Sequence, residues 1–211
     1  MAQLTDRLDL ARAAAAEHYP VSIPIVELER LRGWVVAEQA RSTIEIGLAY
    51  GVSALAICDG LAEVGTGTTH VVIDPFQATS RFDSAGLRLL DEAGVADMVE
   101  FHPEPSELVL PRLLAEGRQF DLAFVDGNHR FDWVFIDLAL LGRLVRMGGV
   151  IFVDDYQLPG VAKAIGFFVA NRGWRIEQDS LPPANDPDHG WVVVRTPNPA
   201  VESRFTDFVD F

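Results

Sequence analysis

Four side chains in the middle of this 211-residue chain have the types and spacing for metal or acid–base chemistry: Asp126, His129, Asp154 and Asp155. Asp126 ends one apolar run, Leu122 to Val125, and Asp154 and Asp155 end another, Val150 to Val153. Both runs have the length and the β-branched or aromatic content of buried strands. Adjacent acids at a buried strand end repel each other and lose hydration unless a cation or hydrogen-bond donors compensate. Three carboxylates brought together there suggest a hard divalent cation. A cation of that kind lowers the pKa of a coordinated hydroxyl, leaving a nearby base to take the proton. His129, with an ordinary pKa near ~6.5, suits that task if it lies within reach. The plainer alternatives are that Asp126, before Gly127-Asn128, shapes a turn and that His129 caps the following helix.

The elements that must position these groups can be read outward from them. Between the two runs, Val134, Leu138, Leu141 and Val145 recur at steps of four, three and four, which predicts one amphipathic helix over Phe131 to Arg146. Met147-Gly148-Gly149 is expected to stop it. Strand, crossover helix and strand make a βαβ unit with parallel strands, whose carboxyl ends share one edge. Open α/β sheets bind ligands at that edge.

The same alternation extends upstream. Thr43 to Ile46 predicts a strand, Gly47-Leu48-Ala49-Tyr50-Gly51 a turn that lets a ligand approach the backbone, and Val52 to Ala62 a helix. The next strand, His70 to Ile73, ends in Asp74, a carboxylate that can accept both hydroxyls of a ribose or, with Pro75, simply make a turn. Helices are expected over Phe82 to Gly94, Ser106 to Gly117 and Val161 to Asn171, and a short strand over Met98 to Phe101. Trp174 to Gln178 and Trp191 to Arg195 form a strand pair separated only by the loop LPPANDPDHG, so they should run antiparallel.

Two helices precede all of this. Leu4, Leu8, Ala11 and Ala15 share one face of the first, which His18-Tyr19-Pro20 ends. In the second, from near Pro24, Leu28, Leu31 and Val35 should face inward while Glu27, Glu29, Arg30 and Arg32 face water. In the tail from Pro197 to Phe211, Phe205, Phe208 and Phe211 could cover a groove or contact another copy in a homo-oligomer.

Composition narrows the partners. With 17 basic against 31 acidic residues the net charge is -14, which opposes nucleic acid or an anionic membrane as the main partner, since both demand a basic surface. A small molecule is the expected substrate. The length suits one domain with a full core. A single cysteine, Cys58, excludes an internal disulfide and fits a reducing compartment. With no basic, apolar leader and no apolar run near the ~20 residues of a membrane span, a cytoplasmic protein is expected.

Taken together, Glu45-Ile46-Gly47-Leu48-Ala49-Tyr50-Gly51, Asp74, the strand-end Asp126 and Asp154, and a closing antiparallel pair resemble a class I S-adenosylmethionine-dependent methyltransferase. The E-x-G-x-x-x-G form fits that class better than the G-x-G-x-x-G of dinucleotide oxidoreductases. The resemblance implies an α/β fold: a Rossmann-like three-layer sandwich with a mostly parallel seven-stranded sheet, the last strand antiparallel, plus N-terminal helices. It implies a helical extension over residues 1–40, a methyltransferase domain over 41–196 and a tail over 197–211. For the cofactor it implies contacts from Glu45, Gly47, Tyr50, Gly51, Asp74, Ser106 and Asp126. Within the class, Asp126, Asp154 and Asp155 look like the metal site of catechol-type and macrocin-type O-methyltransferases, with magnesium the expected ion and His129 at the position of the base in some sugar-methylating members. Asp154 departs from members that carry glutamate there. A metal-dependent O-methyltransferase on a catechol, sugar diol or natural product is thus implied. A non-catalytic cofactor-binding protein and a nicotinamide-dependent oxidoreductase stand as alternatives.

Overall fold

A computed structural model describes residues 4–181, 189–201 and 204–211. Seven strands form one mixed sheet in the order β3-β2-β1-β4-β5-β7-β6, where β1 is Ser42–Ile46, β2 Thr69–Ile73, β3 Val99–His102, β4 Phe120–Val125, β5 Val145–Val153, β6 Arg175–Ser180 and β7 Trp191–Arg195. The helices are α1 Leu4–His18, α2 Ile25–Ala37, α3 Val52–Val64, α4 Ala85–Glu92, α5 Ser106–Ala115, α6 Phe131–Leu144 and α7 Pro159–Arg172. This is the α/β, Rossmann-like arrangement expected. The chain divides into two compact units, residues 1–109 and 110–211.

In the first unit β1, β2 and β3 pair in parallel. Helix α3 is buried from Val52 through Leu61 because α1 and α2 cover the face it turns away from the strands. A helix enclosed on all sides is expected to be apolar nearly all round, and here the buried polar exceptions, Ser53 and Asp59, are hydrogen-bonded to Glu45 and Arg32. Leu28, Leu31 and Val35 of α2 are buried as expected, but two of its charged residues do not face water. Glu27 is buried, and Arg32 is half-buried, donating to the buried Asp59 of α3 at 2.6 Å and to Glu63 at 2.5 Å. Periodicity placed them outside because it could not anticipate a second helix packed beside the first.

In the second unit β4 and β5 are parallel, while β7 runs antiparallel to both β5 and β6. The helix expected to reach Arg146 ends at Leu144, and Val145 already belongs to β5. The glycines that should have stopped a helix instead make a bulge: Phe120 pairs with Val145, yet Leu122 pairs with Val150. A Cβ on Gly149 would meet the Asp121 carbonyl oxygen at 2.9 Å, so only glycine lets the bulged strand pass so close. In the tail, Phe208 and Phe211 pack on Phe167 of α7, and the Asn171 side chain exchanges two hydrogen bonds with the Val209 backbone. Phe205 is exposed. The loop over 182–188 lies outside the described residues. Among those described, no helix is long and apolar enough to cross a membrane.

Candidate functional site

In the first unit, the turn between β1 and α3 is held by the strand beside it. The Gly47 backbone N–H donates to the Ile73 carbonyl at 2.9 Å. Asp74 Oδ2 accepts the backbone N–H groups of Leu48 at 3.1 Å and Ala49 at 3.0 Å and the Gln77 side-chain amide at 3.0 Å, while Oδ1 accepts the Phe76 N–H at 2.7 Å. Asp74 is only 3% exposed. It therefore shapes the turn first, and Oδ1 retains acceptor capacity for a ligand hydroxyl.

Gly51 has φ +82° and a Cβ there would meet the Gly86 carbonyl oxygen at 2.8 Å, so α4 packs directly on the turn. Glu45 is fully buried: it accepts from the Ser53 hydroxyl and lies 3.1 Å from His70 Nε2, whose Nδ1 is 2.9 Å from Thr43 Oγ1. Its carboxylate points into the interior beneath the turn. Tyr50 stacks on His18 at the end of α1, 3.8 Å between ring centroids, with Phe82 edge-on at 5.3 Å. His18, to which the sequence assigned no role, thereby ties the amino-terminal helix to the turn. Ser106 opens α5 and is half-buried. Gln77 is a further member of this group; nothing in its spacing marked it.

In the second unit the strand-end acids do come together. The Asp154 N–H donates to the Val125 carbonyl at 3.0 Å, which brings the ends of β4 and β5 into line. His129 lies between two of the acids, with Nε2 3.3 Å from Asp126 Oδ1 and Nδ1 3.1 Å from Asp155 Oδ2. A second histidine, His189, enters from the loop before β7, with Nδ1 3.4 Å from Asp154 Oδ2 and 3.9 Å from Asp155 Oδ1. Donor atoms of Asp126, His129 and Asp155, and likewise of Asp154, Asp155 and His189, all lie within 4.8 Å of one another.

The electrostatics follow from the crowding. Burial and the neighbouring Asp154 push the Asp126 carboxyl up to about 7, against the opposing pull of His129. Its bond to Asp126 holds His129 above the usual imidazole range. The bond to Asp154 lifts His189 to about 9 in spite of burial. A carboxyl that resists ionising beside a neighbouring acid, as Asp126 does, is what a divalent cation would relieve, and oxygen donors at this spacing suit one. The donor set therefore fits the ion. Asp155 adopts φ +56°, a left-handed conformation that aspartate tolerates better than most residues. That twist, with the Asp154 Oδ1 acceptor on its N–H at 2.7 Å, lets two consecutive acids meet one cluster.

His189 was not among the residues expected from the sequence: it is placed by the pairing of Val153 of β5 with Val192 of β7, because in an antiparallel pair the residues before one strand face those after the other. Trp133 and Tyr156 are both half-buried. Burial raises the Tyr156 phenol.

Against known proteins, a family described as a methyltransferase domain matches residues 44–156, just over half of the chain. Catechol O-methyltransferase of Mycobacterium tuberculosis is 32% identical over 146 residues, which is 69% of this chain and 62% of that protein. Tricin synthase 1 of Oryza sativa subsp. japonica is 38% identical over 127 residues, 57% of this chain and 47% of that protein. The chain spans about half the length of the curated relatives it matches. Among solved structures, the O-methyltransferase TomG from Streptomyces achromogenes, in complex with SAM, superposes with a TM-score of 0.73 at 22% identity, covering 91% of this chain and 90% of that one. An O-methyltransferase from Bacillus cereus in complex with SAH gives a TM-score of 0.70 at 18% identity, covering 92% and 90%.

Proposed function

The chain belongs to the methyltransferase-domain family, and from that premise we propose that it transfers the methyl group of S-adenosylmethionine to a hydroxyl of a small molecule, with a divalent cation held by Asp126, Asp154 and Asp155. The observation that carries the reading is the meeting of Asp126 and Asp155 around His129, and of Asp154 and Asp155 around His189, at one strand edge. We read residues 41–196 as the methyltransferase domain, 1–40 as a helical extension and 197–211 as a tail.

Each group of residues has a distinct task. The turn from Gly47 to Gly51, braced by Asp74, binds the cofactor, and the free acceptor capacity of Asp74 Oδ1 takes a ribose hydroxyl. Glu45 acts beneath the turn by fixing Ser53 and His70. Ser106 is assigned to the adenine end, and Asp126 is assigned to the cation and to the cofactor. Methyl transfer from a sulfonium releases a neutral leaving group, so positioning and deprotonation of the acceptor dominate the work. A bound divalent cation supplies a lowered hydroxyl pKa and a fixed direction for the acceptor. His129 would accept the proton at Nε2, the nitrogen with the longer contact, 3.3 Å to Asp126, while Asp155, 3.1 Å from Nδ1, would stabilise the imidazolium that results.

Two neighbouring oxygens on one substrate suit such a cation, which favours a catechol or vicinal diol. Similarity to a catechol O-methyltransferase supports the catechol.

Calorimetric titration with S-adenosylmethionine, S-adenosylhomocysteine and NAD, with and without magnesium or manganese, tests the reading. Binding of the first two, and methylation of a catechol or diol panel that requires the cation, is the expected result. Binding of NAD alone would overturn it, and cofactor binding without cation binding would remove the metal half.

A further inference from the structure

The two histidines of the cluster differ in exposure and in how they are anchored. His129 is 37% exposed at its side chain and follows an open turn after β4, where Gly127 and Asn128 are exposed. His189 is 13% exposed and is pinned by the backbone on its carboxyl side. The Tyr156 N–H donates to the Gly190 carbonyl at 2.7 Å, and the Gly190 N–H donates to Gln157 Oε1 at 2.6 Å. The same Gln157 side chain donates to Asp155 Oδ1 at 2.6 Å. One glutamine thus couples the position of Asp155 to that of the residue beside His189.

A proton acceptor must be reached by substrate and by water, whereas a ligand to an ion is best held rigid and dry. Donor atoms bound to one ion at roughly 2.0–2.2 Å stand about 3 Å apart when adjacent and about 4.3 Å apart when opposite. The 3.4 and 3.9 Å separations of His189 Nδ1 from Asp154 and Asp155 fall between those values.

We propose that His189 is a fourth protein ligand, adding one imidazole nitrogen to the three carboxylates, so that the site selects a divalent transition ion such as manganese over magnesium. This rests on the metal-dependent reading above. The selectivity follows from ligand chemistry: magnesium prefers an all-oxygen octahedron, while imidazole suits transition ions, whose affinity for nitrogen rises along the first row. It also divides the histidines, leaving His129 as the base.

The test uses the full chain, stripped of metal, saturated with S-adenosylhomocysteine and titrated with Mn²⁺ under electron paramagnetic resonance. The wild-type chain should bind Mn²⁺ at least tenfold more tightly than Mg²⁺ in competition. Its pulsed spectrum should carry the nitrogen modulation of a directly bound imidazole. H189Q should lose the modulation and bind Mn²⁺ at least roughly 10- to 100-fold more weakly, the loss that follows from disturbing even an outer-shell partner. H129A should keep both. Labelling histidine with ¹⁵N in the unsubstituted chain converts the modulation without altering the fold, which keeps the test usable if H189Q is unstable.

Bound Mn²⁺ without nitrogen modulation would overturn the assignment of His189 and leave the carboxylate site standing. So would modulation lost in H129A but retained in H189Q. A wild-type chain that binds neither Mn²⁺ nor Mg²⁺ would instead sink the metal reading itself.

Discussion

Asp74 Oδ2 accepts the Leu48 backbone N–H at 3.1 Å, so the carboxylate expected to hold a ribose also holds the turn that would receive the cofactor. Replacing Asp74 with alanine should weaken S-adenosylhomocysteine binding by about 1.5–3 kcal/mol, the range for a hydrogen bond to a charged group. It should also lower Tm, because the buried N–H groups of Leu48 and Ala49 lose their acceptor. Calorimetry and thermal unfolding on the same variant check both. A lower Tm with unchanged affinity would make Asp74 a purely structural residue.

Gly51→Ala probes the same turn from the other side. With φ +82° and the Gly86 carbonyl 2.8 Å from where the Cβ would lie, the methyl group has no room and the backbone no comfortable alternative. A loss of about 1–3 kcal/mol is expected from the left-handed strain alone, and cofactor affinity should fall with it. Denaturant unfolding at fixed cofactor concentration separates the two effects.

Asp155→Asn and His129→Ala should fail in different ways. The first removes a charge from the cation's surroundings, so cation affinity and turnover fall together and added cation partly restores activity. The second removes the proton acceptor, lowering turnover by about 10²- to 10⁴-fold with cation affinity nearly unchanged and no rescue. Turnover of a catechol against magnesium and manganese concentration distinguishes them.

Stability should depend on pH in a direction set by the crowded acids. His189 is lifted from 6.5 to about 9, so its contribution is full below about 6.5 and is lost as pH rises through about 9. Asp126 is lifted from 3.8 to about 7, so the folded chain favours its protonated form and is progressively penalised as pH climbs through that interval. Both shifts act in the same sense. In chelator, Tm should fall between about pH 5 and pH 9. Manganese should raise it more at the upper end, where fewer protons need be displaced. Thermal scans across pH with and without manganese provide the check.

Much of this molecule was legible from residue order. Strand positions, the helix between the two aspartate-ended runs, the glycine turn and the antiparallel closing pair all depend on local periodicity and turn chemistry, which act over a few residues. Those same rules brought Asp126, Asp154 and Asp155 to one edge, because a βαβ unit admits few arrangements. What only tertiary structure decided were relationships among residues far apart in the chain. Gly148 and Gly149 read as a helix stop, but pairing with β4 made them a strand bulge. Arg32 read as a solvent-facing charge until α3 offered it Asp59. His189 sat in a loop without periodicity, and only the pairing of β7 against β5 carried it to Asp154. Local pattern specifies which face a residue presents, whereas the partner it meets there is set by long-range pairing and packing.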